Sequence, residues 1–170
     1  MTKHYDVTAL GEVLIDFTEN GSSARGNPMY EANPGGAPCN VLAMLQKFGH
    51  KTAFLGKVGE DIFGRRLENV LKEAGIDTVG LCMDPAVRTT LAFVEKKADG
   101  DRDFSFYRNP GADMMLRTEE LQEQILKDTR IFHFGTLSMT DEPVRSATRH
   151  AIETAKANGA LLSFDPNIRE

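Results

Sequence analysis

Residues 33–41, NPGGAPCNV, set the adjacent glycines Gly35 and Gly36 just ahead of an apolar helical pattern, with Asn40 one turn further on. A helix N-terminus turns unpaired backbone N–H groups outward, and glycine lets a ligand oxygen approach them without meeting a Cβ. Asn40 adds one donor group and one acceptor, a pair suited to a hydroxyl. The same two glycines also serve as a plain tight turn. Asp16 closes the first apolar run, where a carboxylate either accepts hydrogen bonds from two neighbouring hydroxyls of a polyol or stands solvated at a strand end. Phe104 and Phe106 alternate with Tyr107 ahead of Arg108, which offers aromatic cover and a forked donor, or ordinary packing on a sheet. His133 sits in an apolar strand pattern and reads as a core histidine.

Other chemistries lack their residues. There is no G-x-x-x-x-G-K-[ST] phosphate loop and no G-x-G-x-x-G fingerprint, which weakens a dinucleotide-dependent oxidoreductase. No Ser-His-Asp arrangement or metal-ligand spacing stands out.

These residues need a scaffold. An apolar run over 7–17 reads as a strand leading into a Gly/Ser/Asn-rich loop over 19–36. A helix begins at Pro38, with Val41, Leu42, Met44, Leu45 and Phe48 at one-face spacing and Gly49 as its C-terminal stop. TAFLGKVG, 52–59, is a strand, and Asp61 caps a second helix with Ile62, Phe63, Leu67, Val70 and Leu71 on its apolar face, ended by Gly75. GIDTVGLC is a short strand. From Arg88 the pattern changes to period two, with Leu91 and Phe93, then Phe104 and Phe106, forming a hairpin around Asp99-Gly100. TEELQEQILKDT is a helix, RIFHFGT a buried strand, DEPVRSATRHAIETAKAN a long helix stopped by Gly159, and ALLSFD a strand. Strands alternating with helices predict an α/β fold with a parallel sheet and crossover helices.

Bulk properties agree with a globular enzyme or binding domain. The chain has 170 residues, 41% hydrophobic and 26% charged, with a formal net charge of −5. Acidic balance and the lack of a basic block argue against nucleic acid or an anionic membrane as partner. No apolar run approaches the roughly 20 residues of a membrane span. The N-terminus carries Asp6 and Glu12 inside its only apolar stretch, unlike a signal peptide. Two cysteines, Cys39 and Cys82, suit a reducing compartment, so a cytoplasmic location is expected.

Taken together, GGAPCNVLAMLQKFGHKTAFLGKVGEDIFGRRL resembles the first signature region of the ribokinase-like, or PfkB, family of carbohydrate kinases. The resemblance extends through ALGEVLIDF, RTTLAFVEKKADGDRDFSFYRNPGADMML, FHFGTLSMTDEPVRSATRHAI and SFDPNIR, and so covers nearly the whole chain. Within the family the likeness is greatest to bacterial fructokinases, with 2-keto-3-deoxygluconate kinases similar enough to remain in play. Leu42 stands where the signature usually has a small residue, and Ala37 where ribokinases carry Lys, which makes ribose a poorer expectation.

The resemblance implies a ribokinase-like three-layer sandwich, with a mostly parallel sheet and a small β-sheet lid built from residues near 13–31 and 88–108. It implies transfer of the γ-phosphate of ATP, with Mg2+, to a hydroxyl of fructose or a related sugar. Asp16, Gly35, Gly36 and Asn40 would hold sugar hydroxyls, and Phe106 and Arg108 would belong to the lid. Arg169 matches an arginine that contacts substrate or phosphate in keto-sugar kinases, and Asp165 and Asn167 lie toward the ATP phosphates and metal. The family's catalytic Asp sits in a G-A-G-D motif that this sequence lacks, so the chain reads as an N-terminal half, inactive alone. A homodimer through the lid is the partner this likeness suggests. A non-catalytic sugar-binding or interaction module is the alternative from another class.

Overall fold

The apolar run at 7–17 splits between two sheets. In the computed structural model, which describes residues 3–96 and 102–167, β1 (Tyr5–Leu10) lies in one sheet and β2 (Leu14–Ser22) in another. The crossing between them is tight, because a Cβ on Gly11 would sit 2.6 Å from Pro38 Cγ. β3 (Pro28–Gly35) follows within the expected loop. Its residues are largely exposed, so it shows none of the apolar alternation by which a half-buried strand is recognised.

The remaining elements are α1 (Ala37–Lys47), β4 (Thr52–Gly59), α2 (Ile62–Glu73), β5 (Asp77–Asp84), β6 (Leu91–Lys96) and β7 (Arg102–Tyr107). Then come α3 (Glu123–Lys127), β8 (Thr129–Gly135), α4 (Val144–Ala157) and β9 (Leu161–Asp165). The first sheet is parallel, in the order β5-β4-β1-β8-β9, and the second is mixed, in the order β3-β2-β6-β7. The Asp99-Gly100 turn expected between β6 and β7 lies outside the described residues.

Helices cover both faces of the parallel sheet, giving three layers. On one face Val7, Ala9, Phe54 and Val58 pack with Cys39 and Leu42 of α1 and Leu67 and Leu71 of α2. On the other, Leu10, Leu55 and Phe132 pack with Ile125 and Leu126 of α3 and an alanine stripe on α4, Ala147, Ala151 and Ala155. Small residues at that spacing let α4 lie close to the strands.

Several expected boundaries and faces shift for local reasons. The helix expected over 118–129 is a 3₁₀ turn, Thr118–Glu120, followed by the five residues of α3, because extended Leu121 turns its side chain into the core between them. α4 starts only after Pro143, whose ring cannot continue a helix from Asp141. α1 buries Pro38, Cys39 and Leu42, leaving Val41, Met44 and Phe48 exposed, since its first turn presses onto the β1–β2 crossing. Ile62 is likewise exposed on α2. Asp61 caps that helix as expected, accepting from Phe63 N at 3.0 Å and Gly64 N at 2.8 Å.

Candidate functional site

A row of residues crosses the second sheet from strand to strand. Asp16 on β2 pairs with Asn33 on β3 and with Ala92 on β6, and Ala92 pairs with Phe106 on β7. Residues paired in this way share a sheet face, so Asp16 and Phe106 look the same way. Phe104, two residues before Phe106, stacks with it at 6.0 Å between ring centroids and 16° between planes. Tyr107 points to the opposite face, edge-on to Phe93 at 5.3 Å.

Facing this row is the start of α1, and between them lies a cleft of about 330 Å³. Asp16, Gly36, Asn40, Phe106 and Asn167 all line it, so five residues singled out from sequence meet in one place. Phe104 closes the same side. Glu12, Leu14, Ala37 and Leu137 complete the wall and were not foreseen as site residues. For Glu12 a signal existed, a carboxylate in the middle of an apolar run; Leu137 carries none, because only the fold brings its loop to the cleft.

The two glycines make distinct contributions. A Cβ on Gly35 would fall 2.2 Å from Asp16 Oδ2, so glycine lets the carboxylate lie along the neighbouring strand. Gly36, the N-cap of α1, has φ 121°, and a Cβ there would meet the Glu12 carbonyl oxygen at 2.4 Å. Both backbone conformation and space therefore require glycine at the point where the helix N–H groups face the cleft.

With no side chain on its N-cap residue, α1 is capped from 25 residues away, the Ala37 N–H donating to Glu12 Oε1 at 3.0 Å. Glu12 is 4% exposed. Burial pushes its carboxyl above the usual range; the backbone N–H groups of Glu12 and Ala37 oppose that shift, Asp113 adds to it and Arg108 opposes it.

Arg108 does not line the cleft and is held by partners in the body of the protein. Its Nε donates to Asp113 Oδ2 at 2.7 Å and one terminal nitrogen donates to the Leu137 carbonyl at 3.2 Å. Thr90 Oγ1 donates to the other Asp113 oxygen, and a Cβ on Gly111 would stand 1.8 Å from that hydroxyl oxygen, so the NPGAD turn needs its glycine. The cluster fastens the end of β7 to the body of the protein. It leaves the cleft with two carboxylates, Glu12 and Asp16, and no cationic side chain among the described residues that line it.

Asp165 ends β9, beside Gly135 of β8, and its Oδ1 accepts from Asn167 N at 2.9 Å. Asn167, with φ 46°, thus curls back and joins the cleft wall. Arg169 lies outside the described residues. His133 is buried, its Nδ1 3.0 Å from Ser163 Oγ; burial pushes its imidazole down while Asp165 pulls it up. Among the described residues no group of three His, Cys, Asp or Glu is placed to hold a metal ion, and no helix is long and apolar enough to cross a membrane.

Residues 5–170 match the family of pfkB carbohydrate kinases. A protein named probable fructokinase-5 of Arabidopsis thaliana is 47% identical over 165 residues, covering 96% of this chain and 51% of its own. The fructokinase of Xylella fastidiosa superposes with a TM-score of 0.90 at 38% identity, over 96% of this chain and 51% of that one. The same fructokinase with bound ATP gives 0.87 at 37% identity, over 96% and 49%. The chain spans about half the length of the curated relatives it matches.

Proposed function

The chain belongs to the pfkB family of carbohydrate kinases, and from that premise we propose that its cleft holds the sugar for ATP-dependent phosphorylation, with fructose or a close relative as acceptor. The observation that carries this reading is the meeting of Asp16, Gly36 and Asn40 beneath Phe104 and Phe106. Carboxylate, amide and helix N–H groups are hydroxyl partners, and an aromatic cover excludes water from them. The engagement of Arg108 by Asp113, with two carboxylates on the cleft wall, favours a neutral sugar over a sugar acid such as 2-keto-3-deoxygluconate.

In this reading residues 1–170 correspond to an N-terminal half and the second sheet, β2, β3, β6 and β7, acts as a lid over the sugar. Phosphoryl transfer needs the acceptor hydroxyl held in line with the γ-phosphate, with water shut out. The described residues supply the holding and the cover. The proton-accepting carboxylate and most contacts to ATP are assigned to the part of the relatives' length that this chain does not span. Asp165 and Asn167 fit a place beside the phosphates. Mg2+ typically takes only one or two protein carboxylates plus phosphate oxygens, so Asp165 fits such a site without a three-residue cluster; the ion's part is to neutralise phosphate charge. Exposed Met29, Tyr30 and Tyr107 on the second sheet support a homodimer through it, and unpaired Cys39 and Cys82 accord with the cytoplasm.

An ATP-consumption assay with fructose, 2-keto-3-deoxygluconate, ribose and adenosine, run on the 170-residue chain and on the full natural reading frame, tests the reading. Turnover of fructose by the longer protein is expected. Preference for 2-keto-3-deoxygluconate would replace the sugar; sugar binding without turnover by either would favour the non-catalytic module.

A further inference from the structure

Glu12 is the one deeply buried carboxylate on the cleft wall, and the capping of α1 does not exhaust it. A carboxylate offers about four acceptor positions, whereas Glu12 has the backbone N–H groups of Ala37 and of Glu12 itself as hydrogen-bond donors. It sits at the crossing between the two sheets, where its carbonyl passes under Gly36 and its side chain reaches the first N–H of α1. The remaining acceptor capacity belongs to a side chain that lines the same space as Asp16 and Asn40. A cap alone does not demand such a group, because burying a carboxylate is costly and a neutral amide oxygen can also accept from Ala37, though through a weaker bond.

We propose that Glu12 is a further sugar-contacting residue: one oxygen holds the α1 N-terminus while the carboxylate accepts a hydrogen bond from a sugar hydroxyl, opposite the one held by Asp16. The assignment rests on the reading of the cleft as a sugar site. It sets stability and binding against each other. Burial raises the Glu12 carboxyl in the folded chain, so protonation of this group favours folding, and the stability it contributes is lost as pH rises through its folded value. Glu12→Gln keeps an acceptor for Ala37, removes the buried charge, and presents an amide N–H where the cleft had an acceptor.

The experiment is isothermal titration of fructose into the protein of the full natural reading frame as wild type, Glu12→Gln and Asp16→Asn, each with a thermal melt. At pH 7.5 the expected result for Glu12→Gln is a midpoint equal to or above wild type with a sugar Kd at least 10-fold weaker. Lowering the pH weakens binding by the wild type as Glu12 takes up its proton, and Glu12→Gln lacks that limb. Asp16 on β2, Asp113 and Arg108 beyond β7 and the Cys39 thiol of α1 face or neighbour the same carboxylate. The Cys39 thiol is pushed well above its usual range by burial first and by Glu12 second, so it stays neutral throughout. Glu12→Gln that binds fructose like wild type, while Asp16→Asn does not, overturns the assignment and leaves the sugar site intact. Wild type that binds no sugar overturns both.

Discussion

The two sheets divide the work of the molecule differently. Every residue of β4 in the parallel sheet is buried, and helices cover both faces around Phe54 and Phe132. The second sheet keeps Met29, Tyr30, Phe106 and Tyr107 between 46% and 66% exposed, and its order is mixed rather than parallel. One sheet therefore carries most of the buried core, and the other keeps one face open beside the cleft. The site belongs to neither alone. It lies at the seam where Gly11, Glu12 and Val13 pass from one sheet to the other and α1 begins, so a rigid element and a coverable one meet there.

That division is most strongly tested in the parallel sheet. Phe132 is fully buried. Phe132→Ala is expected to destabilise the chain by about 3–5 kcal/mol, read from urea melts, with sugar affinity unchanged at temperatures where the chain stays folded. A loss of affinity larger than the loss of folded protein would erase the distinction between scaffold and site. At the seam both quantities should move. Gly36→Ala forces a Cβ onto the Glu12 carbonyl in a conformation that side chains rarely adopt, and is expected to cost about 1–3 kcal/mol together with most sugar binding. If calorimetry finds binding intact in Gly36→Ala, the helix start is not where the ligand is held.

The same contrast governs what the sequence discloses. Burial on both faces writes long apolar runs, and helices that pack on them write caps, so β4, β8, α2 with Asp61, and the stop at Gly159 are readable in order. β3 is exposed and polar, and its existence depends on pairing with β2, which no local pattern records. The break at Gly11 goes unread for a related reason: a run whose apolar pattern resumes after Gly11-Glu12 looks like one strand whether it serves one sheet or two. Asp16, Gly36 and Asn40 stand out in the sequence because their types alone suit a hydroxyl, and the fold brings all three to one cleft. Arg108 was legible as a charge but not as a partner, since Asp113 and the Leu137 carbonyl reach it only through the fold.

The smallest stability change is expected in the second sheet, on the strand face that borders the cleft. Phe106 is 49% exposed and touches Phe104 rather than the core. An exposed position removed from caps and buried networks changes stability by at most about 0.5 kcal/mol, so Phe106→Ala should melt with the wild type. Its ring nonetheless covers the cleft that Asp16 lines from the next strand but one. Truncation should admit water to hydroxyl contacts that were sheltered and weaken fructose by several-fold in titration, while Tyr107→Ala, on the opposite face, leaves affinity alone. Equal losses from both substitutions would mean that the sheet acts through its general order, and an effect confined to Phe106 would mean that one face of the hairpin is the cover.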